Sequence, residues 1–103
     1  MVIIDPEKIY DYCLNPEHSR GKHKARVFQR VLGMTSADAD DLISLIKRQI
    51  RDIECEVGEG DMYGQRYTVD IEIEYNAMKA FVRTSWIIKH GEIQPRLTTC
   101  FVK

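Results

Sequence analysis

The sequence predicts an α+β fold, with three N-terminal helices packed on a four-stranded antiparallel sheet. Two observations predict it. Apolar residues recur at helical spacing as far as Ile53, and beyond it they alternate with polar ones. The helices all precede the strands, so the sheet is built from neighbouring strands through short turns and takes the helices on one face.

Asp5-Pro6 opens the first helix, because the carboxylate accepts from free N–H groups and proline's fixed φ suits the first turn. That helix runs to about Leu14, where Asn15-Pro16 stops it, since a residue before proline is pushed out of the α region. Glu17 to Gly21 form a loop. From Lys22, the positions Ala25, Phe28, Val31 and Leu32 trace one face of a second helix, which Gly33 ends as its C′ residue. Thr35 with Asp38 forms a capping box with a shortened acid. The stripe Leu42, Ile43, Leu45, Ile46, Ile50 and Ile53 marks a third, longer helix.

Ile53 to Val57 form a short first strand closed by the Gly58-Glu59-Gly60 turn. In Gln65–Tyr75, the residues Tyr67, Val69, Ile71, Ile73 and Tyr75 alternate with Arg66, Thr68, Asp70, Glu72 and Glu74, the pattern of a half-buried strand. Asn76-Ala77 turns the chain into Lys79–Ile88, His90-Gly91 turns it again, and Arg96–Val102 closes the sheet.

With 103 residues, 44% of them hydrophobic, the chain supports one core and one domain over residues 1–103. No apolar run is long enough for a membrane span, and MVIIDPEK lacks a signal-peptide pattern, so a cytoplasmic protein is expected. Cys13, Cys55 and Cys100 form no CxxC pair and read as reduced, mostly packed thiols. Nothing matches a GxGxxG, Walker, GxSxG, HExxH or paired zinc-ligand pattern, so neither a metal nor another cofactor is expected.

Charge is segregated although the net charge is only −1. Arg20, Lys22, Lys24, Arg26 and Arg30 stand with His18 and His23 in a stretch without acids. Gly21 and the free N–H groups of the helix start, joined by these cations, suit a phosphate; the same stretch also suits an acidic docking partner or a solvated face. Lys22 and Lys24 oppose the helix dipole, a local rule broken without structural gain. Arg83 interrupts an otherwise apolar strand. With Arg96, Thr98 and Thr99 on the next strand it forms an anion clamp, or else it pairs across strands with Asp70, Glu72 or Glu74. His18 and His23 are the acid/base candidates because an unperturbed imidazole titrates near neutral pH, whereas His90 sits in a turn.

The blocks LNPEHSRGKHKA, YGQRY, VRTSWII and PRLTTC resemble a family of small bacterial proteins catalogued as a domain of unknown function. The resemblance implies one half of a two-gene toxin–antitoxin module, with a small cognate antitoxin as partner. It directs attention to His18, Gly21, Lys24, Arg83, Thr84, Trp86, Arg96 and Thr98. In order of elements the chain is also similar to the barnase and RelE group of ribonuclease toxins. The expected function is therefore a toxin acting on RNA without metal: His18, His23 and Arg83 are catalytic, and Arg20, Lys22, Lys24, Arg26, Arg96 and Thr98 bind substrate. The alternative is a non-catalytic protein-binding module or antitoxin-side partner.

Overall fold

The computed structural model describes residues 2–50 and 56–103. The fold is α+β, with three short α-helices: Pro6–Lys8 (α1), Lys22–Leu32 (α2) and Ala39–Gln49 (α3). Three long strands, Gly64–Tyr75, Met78–Lys89 and Arg96–Val102, form the body of the sheet as an antiparallel meander. A five-residue segment, Glu56–Gly60, lies along the edge of the first of these with broken register. In chain order the segment is β1 and the long strands are β2, β3 and β4.

The expected architecture needs correction in both layers. The first helix is one α-turn that widens at Ile9–Cys13 into a π-turn, closed by Leu14 N–H donating to the Ile9 carbonyl. A regular helix here would be too short to stand alone, and the wider turn lets Ile9, Cys13 and Leu14 all bury. In the sheet, three long antiparallel strands rather than four make up the body. The first expected strand, Ile53–Val57, starts outside the described residues, and the edge segment lies at 56–60 instead. With two glycines and two glutamates, Glu56–Gly60 has no apolar face with which to hold a register. Cys55 and the end of the third helical stripe at Ile53 also lie outside the described residues.

The other boundaries follow from local chemistry. Gly33 adopts φ 66° and caps α2. Thr35 and Asp38 complete their capping box around a 3₁₀ turn that leads into α3. Asn76 and Ala77, both at positive φ, form a two-residue hairpin, and Asn76 Nδ2 donates to the Leu32 carbonyl at 2.9 Å, tying the hairpin tip to the end of α2. Ile3 pairs in parallel with Arg96, so the N-terminal segment borders β4.

Phe28 and Leu32 of α2, Leu42 and Ile46 of α3, and Ile9 and Cys13 pack on Val69, Ile71, Ile73, Val82, Trp86, Leu97 and Cys100 of the sheet. Thr84 and Trp86, to which the family resemblance drew attention, belong to this core. Thr84 Oγ1 donates to the Val69 carbonyl at 2.7 Å and accepts from Trp86 Nε1 at 2.8 Å, which satisfies a buried indole N–H.

On the opposite face, Arg83 grips Asp70 directly across from it, at 2.8 and 3.0 Å, and Lys103 adds a third contact at 2.9 Å. These cations hold the Asp70 carboxyl well below the usual carboxylate range. Arg83→Ala is expected to cost about 1 kcal/mol and no more, because Asp70 keeps Lys103 and partial contact with water. The depressed carboxyl contributes stability above the unfolded value near pH ~3.9, and that contribution is lost as pH falls further. Urea titrations between pH 2 and 7 should show a shallower acid slope in the variant than in the parent.

Candidate functional site

The basic segment meets β4 at an open cleft of about 470 Å³ lined by Asp5, Glu7, Lys8, Asp11, Tyr12, His18, Arg20, Thr98 and Thr99. Two backbone features shape it. The register of β4 slips between Ser85↔Thr99 and Trp86↔Leu97, leaving Thr98 as an extra residue, and this bulge brings Thr98 and Thr99 to the cleft together. Gly21 packs so closely on the Tyr12 backbone that a Cβ there would lie 2.1 Å from the Tyr12 carbonyl oxygen. The close approach that Gly21 permits is thus to the chain itself, and it seats the start of α2 against Tyr12.

His18 is fixed by the same loop. Its Nδ1 accepts from the backbone N–H groups of Arg20 and Gly21, each at 3.0 Å, so the ring carries its proton on Nε2. The ring also packs against Tyr12, with centroids 4.8 Å apart. In this tautomer His18 is a hydrogen-bond donor at the cleft, and the expected base role has no lone pair to use.

Lys24 stands behind the cleft wall. Its Nζ donates to Tyr12 Oη and to Thr99 Oγ1, both at 2.9 Å. Thr99 Oγ1 in turn lies 3.8 Å from Cys13 Sγ. The Cys13 thiol is pulled down to about 7, first by the Cys100 thiol that hydrogen-bonds it and further by Thr99 and the Lys24 charge, against the opposing effect of burial. Cys100 is pushed up by Cys13 and by its own burial. Cys13 and Cys100 are both buried and interact as a polar pair.

The remaining candidates disperse. Arg20 and Thr98 line the cleft, and Thr98 Oγ1 donates to the Ser85 carbonyl. His23 and Arg26 are exposed and Lys22 half-buried on α2, and none of the three lines the cleft. Arg96 binds Glu92 through two hydrogen bonds of 3.0 and 2.9 Å and borders a smaller adjoining cleft of about 200 Å³. Arg83 and Arg96 do not converge: Arg83 faces Phe101 and Arg96 faces Ile87, four positions along β3 and roughly 13 Å apart at about 3.3 Å per residue. Each holds a carboxylate.

The family model for a domain of unknown function (DUF6883) matches residues 1–103. The chain belongs to that family. No curated protein and no solved structure matches it. Within this DUF6883 chain no helix among the described residues is long and apolar enough to cross a membrane.

Tyr12, Cys13 and Cys100 have no site role in the sequence reading, and Thr99 is placed there in a clamp with Arg83 and Arg96 rather than against Lys24. Tyr12 and Thr99 reach Lys24 across 12 and 75 residues, and the bulge at Thr98 breaks the alternation that would have sorted β4 into faces. The one available signal was the compact block PRLTTC. Gly21→Ala is expected to destabilise this family member by about 2 kcal/mol or more, because the new methyl meets backbone rather than a movable side chain. Urea unfolding measures it, and an unchanged midpoint would contradict the packing of Gly21 on Tyr12.

Proposed function

We propose that the chain is an RNA-directed toxin of a toxin–antitoxin pair and handles a phosphodiester at the Tyr12–His18–Thr99 cleft. The observation that carries this reading is the His18 tautomer. Two backbone donors on Nδ1 leave an Nε2–H at a cleft backed by the Lys24 ammonium, with Arg20 on its rim, and these donors suit a phosphate oxygen. RNA carries its own nucleophile in the 2′-hydroxyl, so transesterification asks the protein only for proton transfer and for stabilisation of charge at phosphorus. Imidazole, ammonium and hydroxyl groups suffice for that without a metal ion.

A second reading has support in α2. Lys22, Arg26 and Arg30 repeat every four residues, no acid interrupts the helix, and none of the three has an ion-pair partner among the described residues. Such a stripe suits an acidic cognate antitoxin.

The deciding experiment incubates the purified chain with a fluorogenic oligoribonucleotide, with and without EDTA. Cleavage is expected, unchanged by the chelator. His18→Asn keeps an acceptor for the Arg20 and Gly21 N–H groups but lacks Nε2–H, and should be slower by about 10²-fold. Absence of cleavage, together with harmless induction in growing cells, would reject the toxin and leave the acidic-partner reading.

A further inference from the structure

The cleft described above has donors for a phosphate, while His18 has committed its free lone pair and the Asp5, Glu7 and Asp11 carboxylates stand among the lining. Apart from those carboxylates, the hydroxyls and the thiol behind the cleft make a hydrogen-bonded chain that ends at its surface. Lys24 Nζ holds two hydroxyls at equal distances of 2.9 Å, Tyr12 Oη and Thr99 Oγ1, and both residues line the cleft. An ammonium only donates, so each hydroxyl accepts from Lys24 and has its own proton to give elsewhere. For Thr99 the neighbour is the buried Cys13 sulfur at 3.8 Å, and either of the two atoms can donate, so a proton can pass in both directions.

We propose that Lys24, Thr99, Cys13 and Tyr12 form a closed proton circuit, in which Thr99 takes a proton from the substrate and passes its own to Cys13, while Tyr12 supplies one to the leaving oxygen. Thr99 and Tyr12 are the catalytic residues, since they face the substrate. Cys13 and Lys24 act through them and are positioning residues.

The circuit balances on the RNA substrate of the proposed function, and it rests on that reading. The 2′-hydroxyl proton moves to Thr99 Oγ1 as the Thr99 proton moves to the Cys13 thiolate. The 2′ oxygen bonds to phosphorus and the bond from phosphorus to the 5′ oxygen breaks. Tyr12 protonates that oxygen and is reprotonated by Lys24. The Cys13 proton then returns through Thr99 to the Lys24 amine, and a 2′,3′-cyclic phosphate is released with every protein group restored.

The electrostatics agree with this assignment. Cys13 meets the Lys24 charge from α2 and the Cys100 thiol and Thr99 hydroxyl from β4, while Tyr12 precedes it in the π-turn. Together these lower its pKa to about 7, so thiolate and thiol are both accessible at neutral pH.

The test measures single-turnover cleavage of the same oligoribonucleotide from pH 5.5 to 9, alongside the carbon-13 shift of Cys13 Cβ in the full chain. Wild-type rates are expected to rise with a midpoint of about 7. Cys13→Ala should lose that limb and about 10²-fold in rate. Thr99→Ser should stay within a few-fold of wild type, while Thr99→Val falls as far as Cys13→Ala and the double variant falls no further. A limb that survives in Cys13→Ala, or a Thr99→Val as active as Thr99→Ser, overturns the circuit and leaves the cleft's function standing. If wild type cleaves no RNA, the functional reading itself fails, and the carbon-13 titration decides the relay. A Cys13 midpoint near 7 that moves up in Thr99→Val upholds the hydrogen-bonded chain, whereas titration as an ordinary thiol overturns it.

Discussion

The Lys24 ammonium is where three separate stretches of chain are joined. From α2 it reaches Tyr12 in the N-terminal π-turn and Thr99 on the edge strand β4, each at 2.9 Å. A half-buried ammonium has lost much of its hydration, and two hydroxyl acceptors restore part of it. Other features serve this placement. Gly21 lets α2 begin hard against Tyr12, the bulge at Thr98 presents Thr99, and the π-turn buries Cys13 behind it. The charge of Lys24 then favours thiolate at Cys13, while Cys100 supplies the largest share of that preference.

Much of the scaffold was legible because it rests on local patterns. The stripe of α3, the Gly33 cap and the alternation in β2 depend on residues a few positions apart, which is the range over which periodicity works. The first helix was misread because its two prolines mark the ends without specifying the turn between them. Only the packing of Ile9, Cys13 and Leu14 into one core selects the wider winding. The first expected strand, Ile53–Val57, differs from the segment found at Glu56–Gly60 because a Gly-rich, acidic stretch has little of its own to set its pairing.

The site was harder to read for a related reason. Basic residues are conspicuous in a sequence, yet their partners decide what they do. Arg83 sits directly opposite Asp70 and Arg96 lies four residues after Glu92, so two prominent cations are committed to carboxylates. His18 lies at the cleft, and its tautomer depends on where two backbone N–H groups point. Thr99 and Cys13 carry no charge that stands out in the sequence, and only folding sets Thr99 against Lys24 and Cys13 against Thr99.

Lys24 and Thr99 are therefore expected to hold one another in place. A double-mutant cycle on unfolding free energy, comparing Lys24→Met, Thr99→Val and the pair, measures this coupling directly. A coupling of about 1 kcal/mol or more is predicted, as for a hydrogen bond to a charged group in a partly buried setting. Strictly additive effects would contradict the account, since the two residues would then be neighbours in space without holding one another in place.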